Sequence, residues 1–423
     1  AINGLTAPPF HAQYGGADGN SGPNVPTTVQ GAAINGVPFT TTVKPNGGTD
    51  WIEAITQTAA VNNASFSVSN GGETGKYYLS SSFLQRQGVI RNTDFYRGST
   101  RLNSEFRVGE NKRLTVGEHI NVSYTKASRG TTTATELAMR ITPLIPVRND
   151  AGEFAGTEGP ELGNSGNPVA DLFRARNDYQ KNYNFLGDIY ADYKITDKLS
   201  IKTVAAAGFN ILNTRRFVAV NPEAKESRDN ATLTEGDVTT YNWSWTNTIN
   251  YRNTFGKHSI NALGGVEAIA ERGKGKTISR STFLNEDVNF TLLSNGIATA
   301  NVDEGFDGST TLFSIFGTAN YDYDGKYFLT ATVRNDKSSR FIGDNQSQTF
   351  PSVSAGWELT KEDFFKTEGF LNRLKLRASY GELGNQTLPI RNPAQNGFFQ
   401  SQQYADYAFN GGSVVDGVLL TQV

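Results

Sequence analysis

The chain has 423 residues, 44 of them Gly, with 37% hydrophobic and 19% charged residues and a formal net charge of −2. That balance lacks the basic footprint of nucleic-acid binding, and the absence of cysteine excludes disulfides and thiolate metal sites. No apolar run reaches the ~18 residues of a membrane-crossing helix, but a spanning strand needs only about 9–11 alternating residues. A mean hydropathy of −0.44 therefore leaves a membrane barrel open.

Ala1-Ile2-Asn3-Gly4 has neither a charged start nor an apolar run, so it does not read as a signal peptide but as a cut or processed end. Residues 1–62 read as a loop-rich segment leading into a run of strands, with at most short irregular strands and one helical turn at Trp51–Ile55 capped by Asp50. From 63 to 384 the pattern becomes period two. Strands are expected at 64–70 and 76–87, 95–108 and 113–126, 184–195 and 199–211, 239–253 and 258–271, 312–323 and 327–337, and 350–360 and 372–384. The clearest pair meets at Asp324-Gly325, the dipeptide favoured in a two-residue hairpin turn. Within each pair the connection is about two to five residues, except the last, near 361–371. Between pairs it is mostly long: 127–183, 212–238, 272–311 and 338–349. This alternation is that of an up-and-down membrane barrel with tight periplasmic turns and long outer loops. Residues 385–423 read as an outer loop cut before the next strand.

Alternation also sorts the faces. Ile189, Tyr193, Ile201, Phe209, Tyr241, Trp243, Trp245, Ile249, Val266, Leu376 and Tyr380 fall on an apolar side expected to meet lipid. Tyr321, Tyr323 and Tyr327 gather beside the Asp-Gly turn as an aromatic girdle. Glu118 falls among apolar neighbours, which implies either a register slip or a position near the interface. Asp188, Asp192, Arg334, Lys375 and Arg377 fall on the opposite side and are the candidate lumen-facing residues. Asp188 and Asp192 share a strand face, yet lumen-facing acids are ordinary in barrels and need not be a catalytic pair. His11, His119 and His258 have no metal-ligand spacing, so no metal, cofactor or catalytic residue is expected. Glu136–Ile141 reads as a short helix inside the first long loop.

Three stretches carry a family resemblance. They are Arg334-Asn-Asp-Lys-Ser-Ser-Arg-Phe341, Phe350-Pro-Ser-Val-Ser-Ala-Gly-Trp357, and Leu374-Lys-Leu-Arg-Ala-Ser-Tyr-Gly381 with Gly384-Asn385-Gln386. With Pro146–Phe154 and Asn167–Leu172 they resemble the SusC/RagA family of TonB-dependent outer-membrane transporters. The family favours Asp-Gly where this chain has Asp336-Lys337. The resemblance implies an all-β, antiparallel, 22-stranded barrel of which this chain holds about the first twelve strands. It also implies an N-terminal plug and a TonB-binding region, neither present in this sequence, and a SusD-like surface lipoprotein as partner. The activity implied is import of oligosaccharides, peptides or similar large nutrients across the outer membrane, with lipid around the wall. A passive porin-like barrel and a soluble secreted β-rich binding protein or glycan-active enzyme are the alternatives from other classes.

Overall fold

The computed structural model describes residues 48–386 apart from 129, 131–132, 150, 158–162, 298–302 and 366–370. It also describes the backbone of six short strands outside that range. Of these, β1 (Thr28–Ile34) and β2 (Val37–Thr42) form one hairpin. β15 (Gly397–Gln400) pairs with β18 (Val418–Thr421), and β16 (Asp406–Ala408) with β17 (Val414–Asp416).

Twelve strands make one sheet in strict chain order. They are β3 (Val61–Gly71), β4 (Gly75–Gln87), β5 (Asp94–Val108), β6 (Leu114–Ser128), β7 (Tyr179–Lys194), β8 (Leu199–Val218), β9 (Thr232–Phe255), β10 (His258–Ser281), β11 (Asp303–Tyr323), β12 (Tyr327–Ser338), β13 (Ser347–Glu358) and β14 (Lys375–Gly381). Every neighbouring pair is antiparallel. β3 and β14 are the two edges of the sheet. Most tight turns collect on one rim and the long connections on the other, as loop parity predicts.

The hairpin at 324–326 differs from expectation by one residue. Tyr323 faces Tyr327 across a three-residue connection, and Lys326 N–H donates to Tyr323 O at 2.9 Å. Asp324 and Gly325 both hold positive φ, 57° and 64°, which is why that dipeptide stands there.

Five strands run further toward the long-loop rim than alternation indicates. β10 continues ten residues past Glu271, and β9 begins seven before Thr239. These ends read Thr-Leu-Thr-Glu-Gly-Asp and Arg-Gly-Lys-Gly-Lys-Thr, largely polar, with Leu233 buried against the loops. The ladder persists there through backbone bonding without a continuous apolar stripe.

The registers place all the predicted apolar sets on one face. Leu114 faces Tyr193, Ile189 faces Ala205, Ala205 faces Trp245, Ala268 faces Phe313, and Val353 faces Tyr380. Those side chains are uncovered: Ile189 is 64% exposed, Trp245 54% and Leu376 53%. A water-soluble sheet would cover such a face with a second layer. On β10 the exposed face is apolar from Ile260 to Ala270, then turns to Arg272, Lys274 and Lys276. Ten positions at ~3.3 Å rise, tilted ~40°, span about 25 Å, the height of a barrel's apolar band. Its lower edge carries a ladder of rings, Phe255, His258, Tyr323, Tyr327, Trp357 and Phe364, with successive centroids 4.9–6.4 Å apart. Glu118 has not slipped. It faces Ile189 on the apolar side, and the hydroxyl of buried Ser104 donates to its carboxylate. Four positions above Leu114, it lies roughly 10 Å inside the rim rather than at it.

The buried hydrophobic core lies in the long connections. Helix α1 (Trp51–Ile55) packs against α2 (Thr133–Arg140) and α3 (Pro168–Arg174) around Trp51, Ile55, Ile145 and Leu172. Asp50 caps α1 as expected, accepting from Glu53 N–H at 2.9 Å. α3 was not anticipated. Its cap is the fully buried Asn167, whose Oδ1 accepts from Val169 and Ala170 N–H while its amide donates to Val147 O and Ala155 O. A second small core joins Phe217, Leu233 and Phe283 across two further loops.

Candidate functional site: the polar face and its loop crown

Opposite the apolar face, all five predicted site residues share the polar one. The registers Asp192–Lys202, Lys202–Thr248, Thr248–Gly265, Gly265–Phe316 and Phe316–Arg334 run as a single row across six strands. Arg334 anchors one end of it. Its Nε donates to Asp336 at 2.7 Å, and its Nη2 donates to Glu267 at 2.9 Å and to the fully buried hydroxyl of Ser314 at 2.7 Å. The guanidinium also lies 5.3 Å from the centroid of Phe316, an aromatic on the polar face. Two carboxylates on one guanidinium leave this cluster with a negative surplus.

Asp188 and Asp192 have different surroundings. Asp188 bonds the ring of His119 at 2.9 Å, and His119 stacks on Tyr190. Asp192 faces Lys202 and Thr115, and its Oδ1 is buried without a hydrogen-bond partner. Lys202 turns its ammonium over the ring of Tyr190, 4.5 Å from the centroid. Tyr190 in turn donates to Glu105 at 2.8 Å, and Lys76 lies 3.4 Å from the same carboxylate. Tyr190 lies flat because Gly117 stands beneath it. A Cβ there would meet the ring at 2.7 Å and Ser104 O at 2.5 Å.

Lys375 and Arg377 lie on the same face near the tight-turn rim. Lys375 faces Glu358 and reaches the ring of Phe328, 3.2 Å from its centroid; Arg377 faces Gly356. Sequence reasoning missed Glu105, Tyr190 and Glu267. Their signal was parity, since each stands on the polar face of its strand, but the partner of each is set by register. Among the described residues no three His, Asp or Glu side chains gather as a metal site. His258 bonds Tyr321 at 2.7 Å within the ring ladder, and His11 lies outside the described residues.

Below the ring ladder, Glu362 accepts from Tyr327 O–H at 2.6 Å and Trp357 Nε1–H at 3.0 Å, with Lys326 at 3.1 Å. These bonds, that of Tyr327 first, hold its carboxyl down at about 2.

The long loops interlock above the strands. Arg174 of α3 makes a two-pronged bond to Glu223 of the β8–β9 loop at 2.7 and 2.9 Å, and Glu223 is 2% exposed. Asn164 bonds Glu226 at 2.8 Å, and Phe217 N–H donates to Asp178 at 2.7 Å. Arg215 reaches Thr291 of the β10–β11 loop at 2.8 Å. Val220 N–H donates to Glu286 at 3.1 Å, while burial pushes the Glu286 carboxyl up. The crown is therefore a folded unit of three loops, held by buried polar contacts.

Comparison with known proteins agrees with this architecture. TonB-dependent receptor P26 of Formosa agariphila is 29% identical over 367 residues, covering 85% of this chain and 36% of that protein. TonB-dependent receptor P3 of the same organism is 30% identical over 402 residues, covering 90% and 38%. TonB-dependent receptor SusC of Bacteroides thetaiotaomicron is 25% identical over 384 residues, covering 85% and 37%. The chain thus spans a little over a third of the length of these relatives. A solved structure described as that of the RagAB peptide transporter superposes with a TM-score of 0.72 at 24% identity, covering 90% of this chain and 42% of that one, a likeness of fold. The family described as "TonB dependent receptor-like, beta-barrel" matches residues 142–413. The uncovered apolar face, the folded loop crown and this match lead to one conclusion: the chain belongs to the TonB-dependent receptor β-barrel family, whose members are non-enzymatic barrels of the outer membrane.

Proposed function

We propose that this chain is part of the barrel wall and outer loops of a TonB-dependent importer that brings a large nutrient across the outer membrane. On this reading residues 1–62 lead into the wall, 63–384 form strands and outer loops, and 385–423 belong to a further outer loop, which lies largely outside the described residues. Asp188, Asp192, Arg334, Lys375 and Arg377 line the lumen. The sheet has two free edges, β3 and β14. Unpaired backbone groups in hydrocarbon cost several kcal/mol each, so the working protein closes this wall with further strands, 22 in all by family resemblance.

The observation that carries the reading is the division of one continuous sheet into an uncovered apolar face about 25 Å tall and a polar face whose charges bond one another. A wall with lipid behind and water in front has that form. The SusC-type likeness supports a SusD-like lipoprotein over the crown and energy supplied through TonB at a region not contained in this chain. The cargo class is an oligosaccharide, a peptide or a similar solute too large for passive pores.

The test is uptake by cells carrying the full-length receptor, with labelled oligosaccharides and peptides supplied in parallel. Uptake should need the receptor and stop on addition of an uncoupler or loss of TonB. Uptake that persists without TonB, with open ion conduction in a planar bilayer, would make the protein a passive pore instead.

A further inference from the structure

Lys126 of β6 faces Lys181 of β7 in register, and both stand on the apolar side of the sheet. Like charges set directly opposite destabilise a strand pair, and an anion held between them relieves the repulsion. Among the described residues neither lysine takes part in an ion pair. Lys181 turns its ammonium 4.1 Å from the ring centroid of Tyr179, toward the long-loop rim. Other cations of that rim are matched, Arg272 by Asp307 at 2.6 Å and Lys276 by Asp237 at 3.7 Å. Asp237 also accepts from Asn213, the residue that faces Lys181 on β8. The lysine pair keeps a net positive charge even with Asp94, one step higher on β5.

Strand position sets the depth of the pair. Leu114 to Tyr124 on β6 and Tyr193 to Tyr183 on β7 each cover ten positions, as does the apolar band on β10. Each lysine is the next lipid-side residue, two positions further toward the long loops. At ~3.3 Å rise and ~40° tilt, that step is about 5 Å beyond the hydrocarbon, at the headgroups of the outer leaflet.

Directly beneath the lysines an open groove of about 680 Å³ runs along the lipid side. Phe83, Gly98, Val122, Tyr124, Tyr183 and Phe185 line it. Tyr124 and Tyr183 face each other under the two lysines, their rings 4.9 Å apart. Gly98 stands in register between Phe83 and Tyr124, and a Cβ there would meet nothing within 4 Å. A glycine inside a strand costs stability, and one use of it is to let a ligand come close. Gly98 lies two strands in from the free edge β3, on a strand paired on both sides, so strands that close the wall leave this floor uncovered.

We propose that the lysine pair and the groove form one site for a phosphate-bearing anionic lipid of the outer leaflet. Its phosphate sits between the two ammonium groups, and an acyl chain lies over Gly98. The occupant is an amphiphile because the charge stands at headgroup depth and the groove at hydrocarbon depth. The site goes beyond the import reading and needs only the place of the barrel in the outer membrane.

Native mass spectrometry of the full-length receptor, purified in detergent, tests this. The probes are phosphatidic acid, phosphatidylcholine with the same chains, and inorganic phosphate. The expected result is a one-to-one adduct with phosphatidic acid, held at least tenfold more tightly than phosphatidylcholine. Lys126→Gln or Lys181→Gln should weaken it about fivefold, and the two together about thirtyfold. Gly98→Leu, which fills the groove, should weaken it as well. Lys276→Gln, at a cation already matched, and arginine at both lysine positions should preserve it. Heat-modifiable gel mobility verifies that each variant is folded. Equal retention of phosphatidylcholine would make the groove ordinary boundary lipid and overturn the site. So would unchanged affinity in the double glutamine variant, or lysine-dependent binding of inorganic phosphate that ignores Gly98→Leu. A lysine-dependent dimer of the receptor in place of the lipid adduct would assign this face to a second copy and overturn it too.

Discussion

Arg174→Ala is expected to unlock the loop crown while leaving the barrel wall intact. The substitution strips Glu223, 2% exposed, of both guanidinium N–H donors and leaves its charge buried. Removing one partner of a buried ion pair costs about 3–5 kcal/mol. Arg174 keeps 20% exposure, which places the cost near the bottom of that range, about 3 kcal/mol. At ~1.4 kcal/mol per factor of ten, local opening becomes roughly 150-fold more frequent. Hydrogen exchange read by mass spectrometry on the full-length receptor should show this in peptides covering 151–157 and 217–225. Amides of β7 and β8 below the loops should exchange as in the parent. The double variant Arg174→Met with Glu223→Leu should regain most of the protection, because apolar side chains of similar size leave no orphan charge. Unchanged protection in the loop peptides, or an equal loss throughout β7 and β8, would refute the claim that this ion pair locks the crown independently of the wall.

The other expectations concern the wall, the cap and the rim. Ile189→Arg places a cation on the lipid side and should cost about 2–4 kcal/mol near mid-membrane, whereas Leu186→Arg on the polar face should be close to neutral. Heat-modifiable gel mobility and urea unfolding of the full-length receptor would separate them, and equal effects would refute the assignment of faces. Asn167→Ala should cost about 3 kcal/mol, summing the α3 cap with the buried Ala155 O left bare and Val147 O left with Ala155 N–H alone, and should expose residues 141–178 to limited proteolysis. A loop as resistant as the parent's would show that the cap is dispensable. Glu362 has a folded pKa of about 2, below its unfolded value of about 4.3, so its contribution is complete above that value and is lost as pH falls toward 2. Trp357 emission should therefore change in that acid window in the parent and not in Glu362→Gln. The same transition in both would show that another group titrates there.

Local pattern exposed much of this molecule. Alternation and turn chemistry located the twelve strands and the parity of their connections, because side-chain direction along a strand is a property of the chain itself. The polar side of Asp188, Asp192, Arg334, Lys375 and Arg377 followed from the same parity. What parity lacks is a partner. Arg334 bonds Glu267, 67 residues away, and Tyr190 bonds Glu105, 85 residues away. Neither contact has a local signature, since each depends on the registers of the strands between. The strand ends above the apolar band were equally hidden, because beyond the lipid the ladder continues by backbone bonding with no regular hydrophobic period to mark it.

The amino-acid order by itself therefore determined the wall: strand spacing, the oily and polar sides, and the rim on which most tight turns gather. Those features arise from residues close in sequence meeting different solvents on two sides of a pleat. Only the tertiary structure decided that among the described residues no second layer covers the oily side, that the buried core of those residues sits in the outer loops, and that three loops lock through Arg174, Glu223 and Arg215. Those facts depend on which distant segments share a volume, and a one-dimensional pattern holds no record of that.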